Sequence, residues 1–220
     1  MPQRAQTVFE PRKRPVQARS TATVEAILEA AIQVLLSVGK DRLTTTRVAM
    51  RAGVSVGTLY QYFPNKSALL KAVLRGHLDE VTWAVERACA EQKGNTLARM
   101  ATGVVAAFLA AKMQHVSTSV ALYSVSSDVD GASVSKKIAI RTNRALVALL
   151  ESAREPLTKD PRLIASMMQG TMAGVSRRLL ESDAPEKQLE SVQQELIVLV
   201  SAYLETCAAR KSSRVKRRVA

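Results

Sequence analysis

The stretch Arg51–Leu70, RAGVSVGTLYQYFPNKSALL, decides the fold. The chain holds only eight Phe, Tyr and Trp residues in 220, and three of them fall within four positions here: Tyr60, Tyr62 and Phe63. Gly53 and Pro64 bound a segment of about two helical turns, which is too short to be a stable helix alone in water. The segment must therefore belong to a larger helical unit that covers its apolar side.

The composition is that of a globular protein, with 47% apolar and 23% charged residues. No apolar run approaches the ~20 residues of a membrane span, so no membrane partner is expected. The first 20 residues carry four Arg and one Lys without an apolar core, which excludes a secretory signal. Two distant cysteines, Cys89 and Cys207, indicate a reducing cytoplasm and no disulfide framework. Only two histidines are present, so we expect no metal site and no cofactor.

The net charge of +13 is concentrated at the two ends of the chain. Residues 1–75 hold 12 Lys and Arg against 4 Asp and Glu, residues 76–209 hold 14 against 15, and residues 210–220 hold 6 against none. A basic end on a neutral body favours contact with a polyanion at one part of the fold. The alternative is that the basic ends only aid solubility.

Apolar periodicity predicts an all-α protein of about nine helices, with no alternating strand pattern and no internal repeat. The first helix is expected from about Thr23 to Val38, with Gly39 as its stop. A long helix is expected from Asn65 to about Ala90. The remaining helices are predicted at about 45–52, 56–63, 97–114, 116–127, 133–154, 161–182 and 186–209.

The two short helices, 45–52 and 56–63, are separated by AGVS and predict a helix-turn-helix. Thr44 or Thr45 caps the first of them, Gly53 turns the chain, and Ser55 caps the second. The predicted organisation is a basic flexible arm at 1–19, a three-helix DNA-binding domain at 20–64, a helical ligand-binding and dimerisation domain at 65–209, and a basic disordered tail at 210–220. Arms of this kind enter a minor groove or follow phosphates, and the alternative is a passive leader.

The second short helix is expected to bury Leu59 and Phe63 and to expose its other face. A glycine there lets the backbone approach a duplex closely. Threonine and tyrosine hydroxyls suit phosphates, a glutamine amide suits base edges, and a valine suits a thymine methyl group. The alternative interpretation is an ordinary helical corner in which Tyr60 and Tyr62 are packing residues.

Thr44–Leu70, TTTRVAMRAGVSVGTLYQYFPNKSALL, resembles the N-terminal signature of TetR-family transcriptional regulators. That signature runs T-T, I/V-A, A-G-V-S, G-T-L-Y, Y/H-F, K and L-L, and these elements occur here in order. The resemblance covers about residues 20–72. It implies a homodimer that binds double-stranded DNA at a palindromic operator, usually to repress, and that binds a small-molecule effector in its C-terminal helices.

The family's DNA contacts, carried onto this chain, fall within the helix-turn-helix and just after it: Thr45, Thr46, Val56, Gly57, Thr58, Tyr60, Gln61, Tyr62 and Lys66. Val56 stands where a polar or basic residue is common in the family.

The last two helices have the widest apolar faces and are the predicted dimer interface. Small residues four apart let another helix approach closely. The expected interface residues are Ser166, Gly170, Ala173, Gly174, Leu196, Val200 and Tyr203. The alternative is close packing of the same small residues within one subunit.

The expected ligand is apolar or aromatic, because adaptable apolar side chains are frequent in the C-terminal helices. The candidate ligand-binding residues are Trp83, Met100, Phe108, Met113, Tyr123, Asn143, Met168 and Met172. The alternative to a ligand-released repressor is a DNA-binding regulator without a small-molecule effector, controlled by a protein partner or by its own level. An enzyme is not expected, since the sequence has no paired carboxylates, phosphate loop or nucleophile motif.

Overall fold

The computed structural model of the chain describes residues 14–126, 129 and 131–209, with side chains from residue 20 onward. This part of the chain forms nine α-helices and no strand, which confirms the all-α prediction. An isolated bridge joins Leu157 and Ala208. In chain order the helices are α1 (Arg14–Arg42), α2 (Thr45–Ala52), α3 (Val56–Tyr62), α4 (Lys66–Gln92), α5 (Leu97–Met113), α6 (Val116–Ser126), α7 (Gly131–Leu150), α8 (Pro161–Leu180) and α9 (Pro185–Cys207).

Helix α1 begins earlier than the sequence predicts. Residues 14–19, expected in a flexible arm, are its first turns. Pro15 is tolerated there because the first turn of a helix needs no backbone N–H for an internal bond, and its fixed φ suits a helix. At the other end Gly39 has a φ of 75° and breaks the helical geometry at the predicted stop. The rest of the predicted arm, residues 1–13, and the predicted tail, 210–220, lie outside the described residues.

The chain divides into two compact units, Met1–Leu70 and Lys71–Ala220. The division falls within α4, slightly beyond the domain boundary predicted after Pro64. In the first unit α2 packs against both α1 and α3. Its core is apolar and includes Ile27, Ala31, Leu35, Val48, Ala49 and Leu59.

Part of α1, Ser20–Arg42, is long and apolar enough to cross a membrane by length and composition. One such helix is weak evidence, because a core helix passes the same test. The apolar side chains of Ile27, Ala31 and Leu35 are buried in the first unit. This segment therefore has a structural role that needs no membrane.

The second unit has one hydrophobic core built from α4, α5, α7, α8 and α9. The closest association is between α5 and α9, and α8 packs against both α7 and α9. Cys89 and Cys207 are free thiols buried in this core. The core also contains six residues for which the sequence predicted binding roles: Met100, Phe108, Met168, Met172, Leu196 and Val200.

Candidate functional site

The turn between α2 and α3 is built by local chemistry that the sequence specifies. The Thr44 side chain accepts a hydrogen bond from the Arg47 N–H at 3.2 Å and caps α2. Gly53 ends α2 in the left-handed region, with a φ of 68°. The Ser55 side chain accepts from the Thr58 N–H at 3.0 Å and caps α3. These caps orient α3 with respect to α2, as a helix-turn-helix requires.

Helix α3 has one buried side and one exposed side, as predicted. Leu59 and Phe63 are buried in the first unit. The predicted DNA contacts lie on the remaining surface: Gly57, Tyr60 and Gln61 are exposed, while Val56, Thr58 and Tyr62 are half-buried. In α2, Thr45 is half-buried and Thr46 is exposed. The surface of α3 therefore presents a glycine, hydroxyls and one amide to an incoming partner.

Two pairs of hydroxyl groups are joined on this surface. The Tyr60 hydroxyl lies 3.0 Å from Thr45 Oγ1, and Thr58 Oγ1 lies 2.8 Å from Ser55 Oγ. Each hydroxyl has one hydrogen and two lone pairs, so each keeps capacity for a further partner. The structure thus brings Thr45 and Tyr60 together across α2 and α3.

Lys66 has a protein partner that the sequence did not reveal. Its Nζ donates a hydrogen bond to the Lys40 carbonyl oxygen at 2.6 Å, next to the break at Gly39. An ammonium group has three hydrogens, so two remain for a phosphate. The predicted phosphate contact stays a prediction, and Lys66 has a structural role beside it.

The second unit contains a cavity of about 470 Å³. Its walls are mostly apolar, with a few polar groups. The lining residues are Leu78, Val81, Thr82, Val85, Phe108, Lys112, Tyr123, Ser135, Ile138, Ala139, Thr142, Ser166, Gln169, Gly170, Met172, Ala173 and Ser176. Three of the predicted ligand-binding residues are among them, namely Phe108, Tyr123 and Met172. We refer to this space as the ligand cavity.

The other predicted ligand-binding residues lie elsewhere. Met100 and Met168 are fully buried in the closed core, because methionine fills irregular gaps there as readily as it lines a pocket. Trp83 and Met113 line a separate surface groove of the second unit. Trp83 is 59% exposed, and the Arg87 guanidinium lies 5.1 Å from its ring. Asn143 Nδ2 donates to Ser166 Oγ at 3.2 Å and is not a wall residue.

Lys112 is the charged residue among the wall residues that the sequence prediction missed. It is 6% exposed, and its Nζ lies 5.3 Å from the centre of the Tyr123 ring. Burial lowers the pKa of its ammonium to about 8. The signal was present in α5, where Val105, Phe108, Leu109 and Lys112 recur at helical spacing. A lysine on an apolar stripe indicates a buried charge.

His77 lies behind Lys112 in a buried hydrogen-bond chain. Ser119 Oγ donates to the Lys112 carbonyl oxygen at 3.1 Å and lies 3.0 Å from His77 Nε2. Because the hydroxyl has one hydrogen, Nε2 is the donor in the second contact. Burial, followed by the positive charges of Lys112 and His115, lowers the pKa of His77 to about 4. The imidazole is therefore neutral near pH 7.

The four small residues of α8 predicted for the dimer interface are exposed, and three of them, Ser166, Gly170 and Ala173, also line the ligand cavity. Gly170 and Gly174 are exposed, and a Cβ atom added at either would meet no described atom within 4 Å. Leu163 and Met167, on the same face, are 55% and 51% exposed. We call Leu163, Met167, Gly170 and Gly174 the α8 stripe. Close packing within one subunit, the alternative weighed for these glycines, does not occur among the described residues.

Helix α9 divides its apolar residues differently from the prediction. Leu196 and Val200 are buried in the core of the same subunit, so they are not surface residues. The exposed apolar residues are instead Val198 and Leu199. Tyr203 is half-buried, with Lys159 Nζ 5.7 Å from its ring. The sequence misassigned these positions because almost the whole circumference of α9 is apolar between Leu196 and Val200.

Two family descriptions match this chain. One, described as bacterial regulatory proteins of the tetR family, matches residues 27–73. The other, described as a tetracyclin repressor-like C-terminal domain, matches residues 96–204. The tetracycline repressor protein class C of Escherichia coli is 44% identical over 54 residues, which are 24% of this chain and 25% of that protein. Across the sequence relatives compared, the chain spans between 25% and 41% of their length.

Solved structures agree with the fold over much more of the chain. A protein of Mesorhizobium loti MAFF303099, assigned to TetR-family transcriptional regulators, has a TM-score of 0.71 at 17% identity and covers 87% of this chain and 99% of its own. SmeT, the repressor of the Stenotrophomonas maltophilia multidrug efflux pump SmeDEF, has a TM-score of 0.64 at 20% identity, over 84% of this chain and 91% of its own. With a helix-turn-helix in the first unit and family matches over residues 27–73 and 96–204, this chain belongs to the TetR family of bacterial regulatory proteins.

Proposed function

We propose that this protein is a dimeric, sequence-specific DNA-binding regulator of transcription. It acts in the cytoplasm as a repressor that a small apolar or aromatic ligand releases from a palindromic operator. The exposed face of α3, with Gly57, Tyr60 and Gln61 on a capped helix-turn-helix, is the observation that carries this proposal. Repression is supported by two relatives named as repressors, the tetracycline repressor and SmeT.

Recognition of DNA follows from the chemistry of α3. A short helix in the major groove reads base edges through amide and hydroxyl groups, while nearby hydroxyls and cations hold the phosphates. Gln61 is the exposed amide of α3 and is assigned to base edges. Tyr60, Thr58 and Thr46 are assigned to phosphates. The basic excess of residues 1–75, 12 Lys and Arg against 4 Asp and Glu, favours the approach to a polyanion.

Dimerisation is assigned to the α8 stripe together with Val198 and Leu199 of α9. These side chains form an exposed apolar surface, which is typical of a subunit interface. The two glycines let a helix of a second subunit approach closely. A two-fold axis through this surface lets the same residues meet themselves, as in most homodimers.

Release by a ligand is supported by the ligand cavity. Its volume of about 470 Å³ lies within the range of small-molecule pockets, and its apolar walls suit an apolar or aromatic ligand. The competing candidate is a regulator without a small-molecule effector, controlled by a protein partner or by its own level. A core without a cavity would favour a regulator without an effector. The presence of the cavity therefore favours control by a ligand.

Helix α4 is the proposed link between ligand and DNA. Its 27 residues are about 40 Å long. It begins at Lys66, just after α3, and its residues Leu78, Val81, Thr82 and Val85 line the ligand cavity. A ligand that prefers one position of α4 must weaken DNA binding by the same factor by which DNA weakens the ligand.

Selection of bound duplexes from a random DNA pool tests the first part of this proposal. We expect a palindromic consensus, bound more tightly than random DNA and with an affinity that falls steeply with salt. Gln61→Ala should change the preferred base at one position of each half-site. Equal affinity for selected and random DNA contradicts sequence-specific binding.

A titration of apolar and aromatic compounds tests the second part, following operator affinity and Trp83 emission together. Trp83 lies on α4 outside the ligand cavity, so a change in its emission reports a change around α4 rather than direct contact with the compound. We expect binding to lower operator affinity. Compounds that bind without changing it favour the regulator controlled by a partner or by its level.

A further inference from the structure

The ligand cavity contains a buried cation at its wall. Lys112 is 6% exposed, with Phe108 one helical turn earlier in α5 and Tyr123 beside its ammonium. Burying an ammonium without an opposite charge costs free energy. The Tyr123 ring, at 5.3 Å, offsets part of that cost through its negative face.

Within the described residues, no carboxylate lies within ion-pair distance of Lys112 Nζ, and no oxygen accepts a hydrogen bond from it. Asp79 and Glu86 pair with Arg141, and Glu181 pairs with Arg177. Among the described residues, the partner found for the Lys112 ammonium is therefore the Tyr123 ring.

Several other polar groups of the ligand cavity have partners in the protein. Thr82 Oγ1 lies 3.3 Å from Thr142 Oγ1. Gln169 Nε2 donates to the Ala139 carbonyl oxygen, and Ser176 Oγ to the Ala173 carbonyl oxygen. Lys112 is the charged residue among the cavity walls, and its ammonium has no hydrogen-bond acceptor among the described residues.

We propose that the ligand of this cavity is an amphipathic carboxylic acid, whose carboxylate pairs with Lys112 beside Tyr123 and whose apolar body lies against Val81, Val85 and Met172. This inference rests on the proposed function, because it names the chemical class of the effector at the same site. A carboxylate supplies both the opposite charge and the hydrogen-bond acceptor that the protein does not. A neutral apolar molecule of the same shape supplies neither.

Binding of a carboxylate at Lys112 should be accompanied by uptake of protons, which can be measured. The Lys112 ammonium has its pKa lowered to about 8 by burial, and a bound carboxylate favours the charged form. At pH 8 the binding of one acid should take up about half a proton, and at pH 6.5 almost none. The affinity for the acid should fall as the pH rises through 8.

The other titratable groups near Lys112 do not account for this proton uptake. His77, from α4, has a pKa lowered to about 4 and stays neutral between pH 6.5 and 9. Tyr123, from α6, has its pKa raised by burial and also stays neutral. Arg177, from α8, lies 5.9 Å from the centre of the same tyrosine ring and pairs with Glu181, which raises its pKa, so it stays charged. His115 is exposed in the neighbouring surface groove.

The experiment measures binding of two matched pairs of probes to the full-length protein by calorimetry. The pairs are decanoate with decanamide and 2-naphthoate with 2-naphthamide, in which each acid and its amide have nearly the same shape. We expect at least one acid to bind about tenfold or more tightly than its amide, because a buried charged hydrogen bond is lost in the amide. Titrations at pH 8 in phosphate and in Tris report the proton uptake.

Lys112→Met keeps the length and apolar body of the side chain and removes its charge. In this variant the acid should lose its advantage over the amide, and the proton uptake should disappear. Lys137→Met, on the exposed surface of α7, is the matched control and should keep both. Thermal unfolding checks the fold, and Lys112→Met should be no less stable than the unaltered protein, since it removes a buried charge.

The possible outcomes separate this inference from the proposed function. Three results would overturn the inference. The acids keep their advantage over the amides in Lys112→Met, the amides bind the unaltered protein as tightly as the acids, or neither acid binds. Amides that bind equally well and release the operator overturn it while leaving ligand control standing. Acids that bind through Lys112 without changing operator affinity support the inference and contradict ligand control.

Discussion

The hydroxyl oxygen of Tyr60 in α3 lies 3.0 Å from Thr45 Oγ1 in α2, on the surface assigned to DNA. The contact joins two residues that are 15 positions apart and that were both expected to contact DNA. Their orientations are therefore linked before any DNA is bound. A partner that binds the hydroxyl of Tyr60 therefore finds the hydroxyl of Thr45 already positioned beside it.

A double-mutant cycle with Tyr60→Phe and Thr45→Val tests this linkage. Each single change removes one hydroxyl, and the pair should show a coupling of about 0.5 kcal/mol in the free energy of unfolding, because the bond is exposed. In both single variants the free energy of operator binding should change more than the free energy of unfolding if each hydroxyl contacts DNA, as we propose. Chemical unfolding and a gel-shift titration give the two values, and additive effects in both contradict the linkage.

Lys66→Ala is expected to weaken the binding of every DNA sequence by a similar factor. A phosphate contact made by this lysine contributes about one unit to the salt dependence of binding, so the slope of log affinity against log salt should fall by about that amount. The Lys40 carbonyl oxygen also loses its donor, so the melting temperature should fall slightly. A lower melting temperature with an unchanged salt slope assigns Lys66 to the structural role alone.

Gly174→Leu is expected to give a folded monomer that has lost operator binding. Within the subunit a Cβ atom added at this position meets no described atom within 4 Å, so we expect the leucine to interfere mainly with a second subunit. Gly76→Leu is the matched control, because Gly76 is also an exposed helical glycine with open space around it. Analytical ultracentrifugation should find the control dimeric, and a dimeric Gly174→Leu places the interface on another surface.

Stability should fall as the pH drops from 6.5 to 4 because of His77. Its pKa is about 4 in the folded protein and near 6.5 when unfolded, so the unfolded chain binds the extra proton throughout that window. The contribution is complete above pH 6.5, is lost on acidification to pH 4, and amounts to at most about 3 kcal/mol.

His77→Gln is the variant that isolates this effect, since glutamine keeps an N–H for Ser119 and does not titrate. Urea unfolding at several pH values should give a smaller loss of stability for the variant between pH 6.5 and 4. Parallel pH profiles for the two proteins would show that carboxylates alone cause the acid sensitivity.

The helix-turn-helix could be predicted from the sequence almost residue by residue because its determinants are local. Thr44 and Ser55 cap helices with their own side chains, Gly53 adopts the left-handed conformation that ends α2, and Leu59 and Phe63 are apolar residues one turn apart. Each of these features depends on residues no more than four positions apart in the chain. The Lys66–Lys40 contact was missed because its partners are 26 residues apart.

The ligand cavity could be predicted only in part because it depends on how five helices pack. Phe108, Tyr123 and Met172 line it, whereas Met100 and Met168 have the same side-chain chemistry and lie in the closed core. Periodicity identifies the inward side of a helix but not whether another side chain fills the space opposite. Lys112 is a charged residue on the otherwise apolar inward face of α5. Of the features of the sequence, this lysine was the most specific indication of a cavity wall.

Both thiols of the protein, Cys89 and Cys207, are buried in the core of the second unit. Their rates of chemical modification can therefore report opening of that core. Cys89 has its pKa raised to about 12 by burial and by the nearby Glu86, so its reactive thiolate is almost absent at neutral pH. Cys207 has no exposed surface. A thiol reagent therefore modifies either cysteine only when the helices around it separate. The rate of that modification, with and without a bound acid or operator, measures how often the core opens.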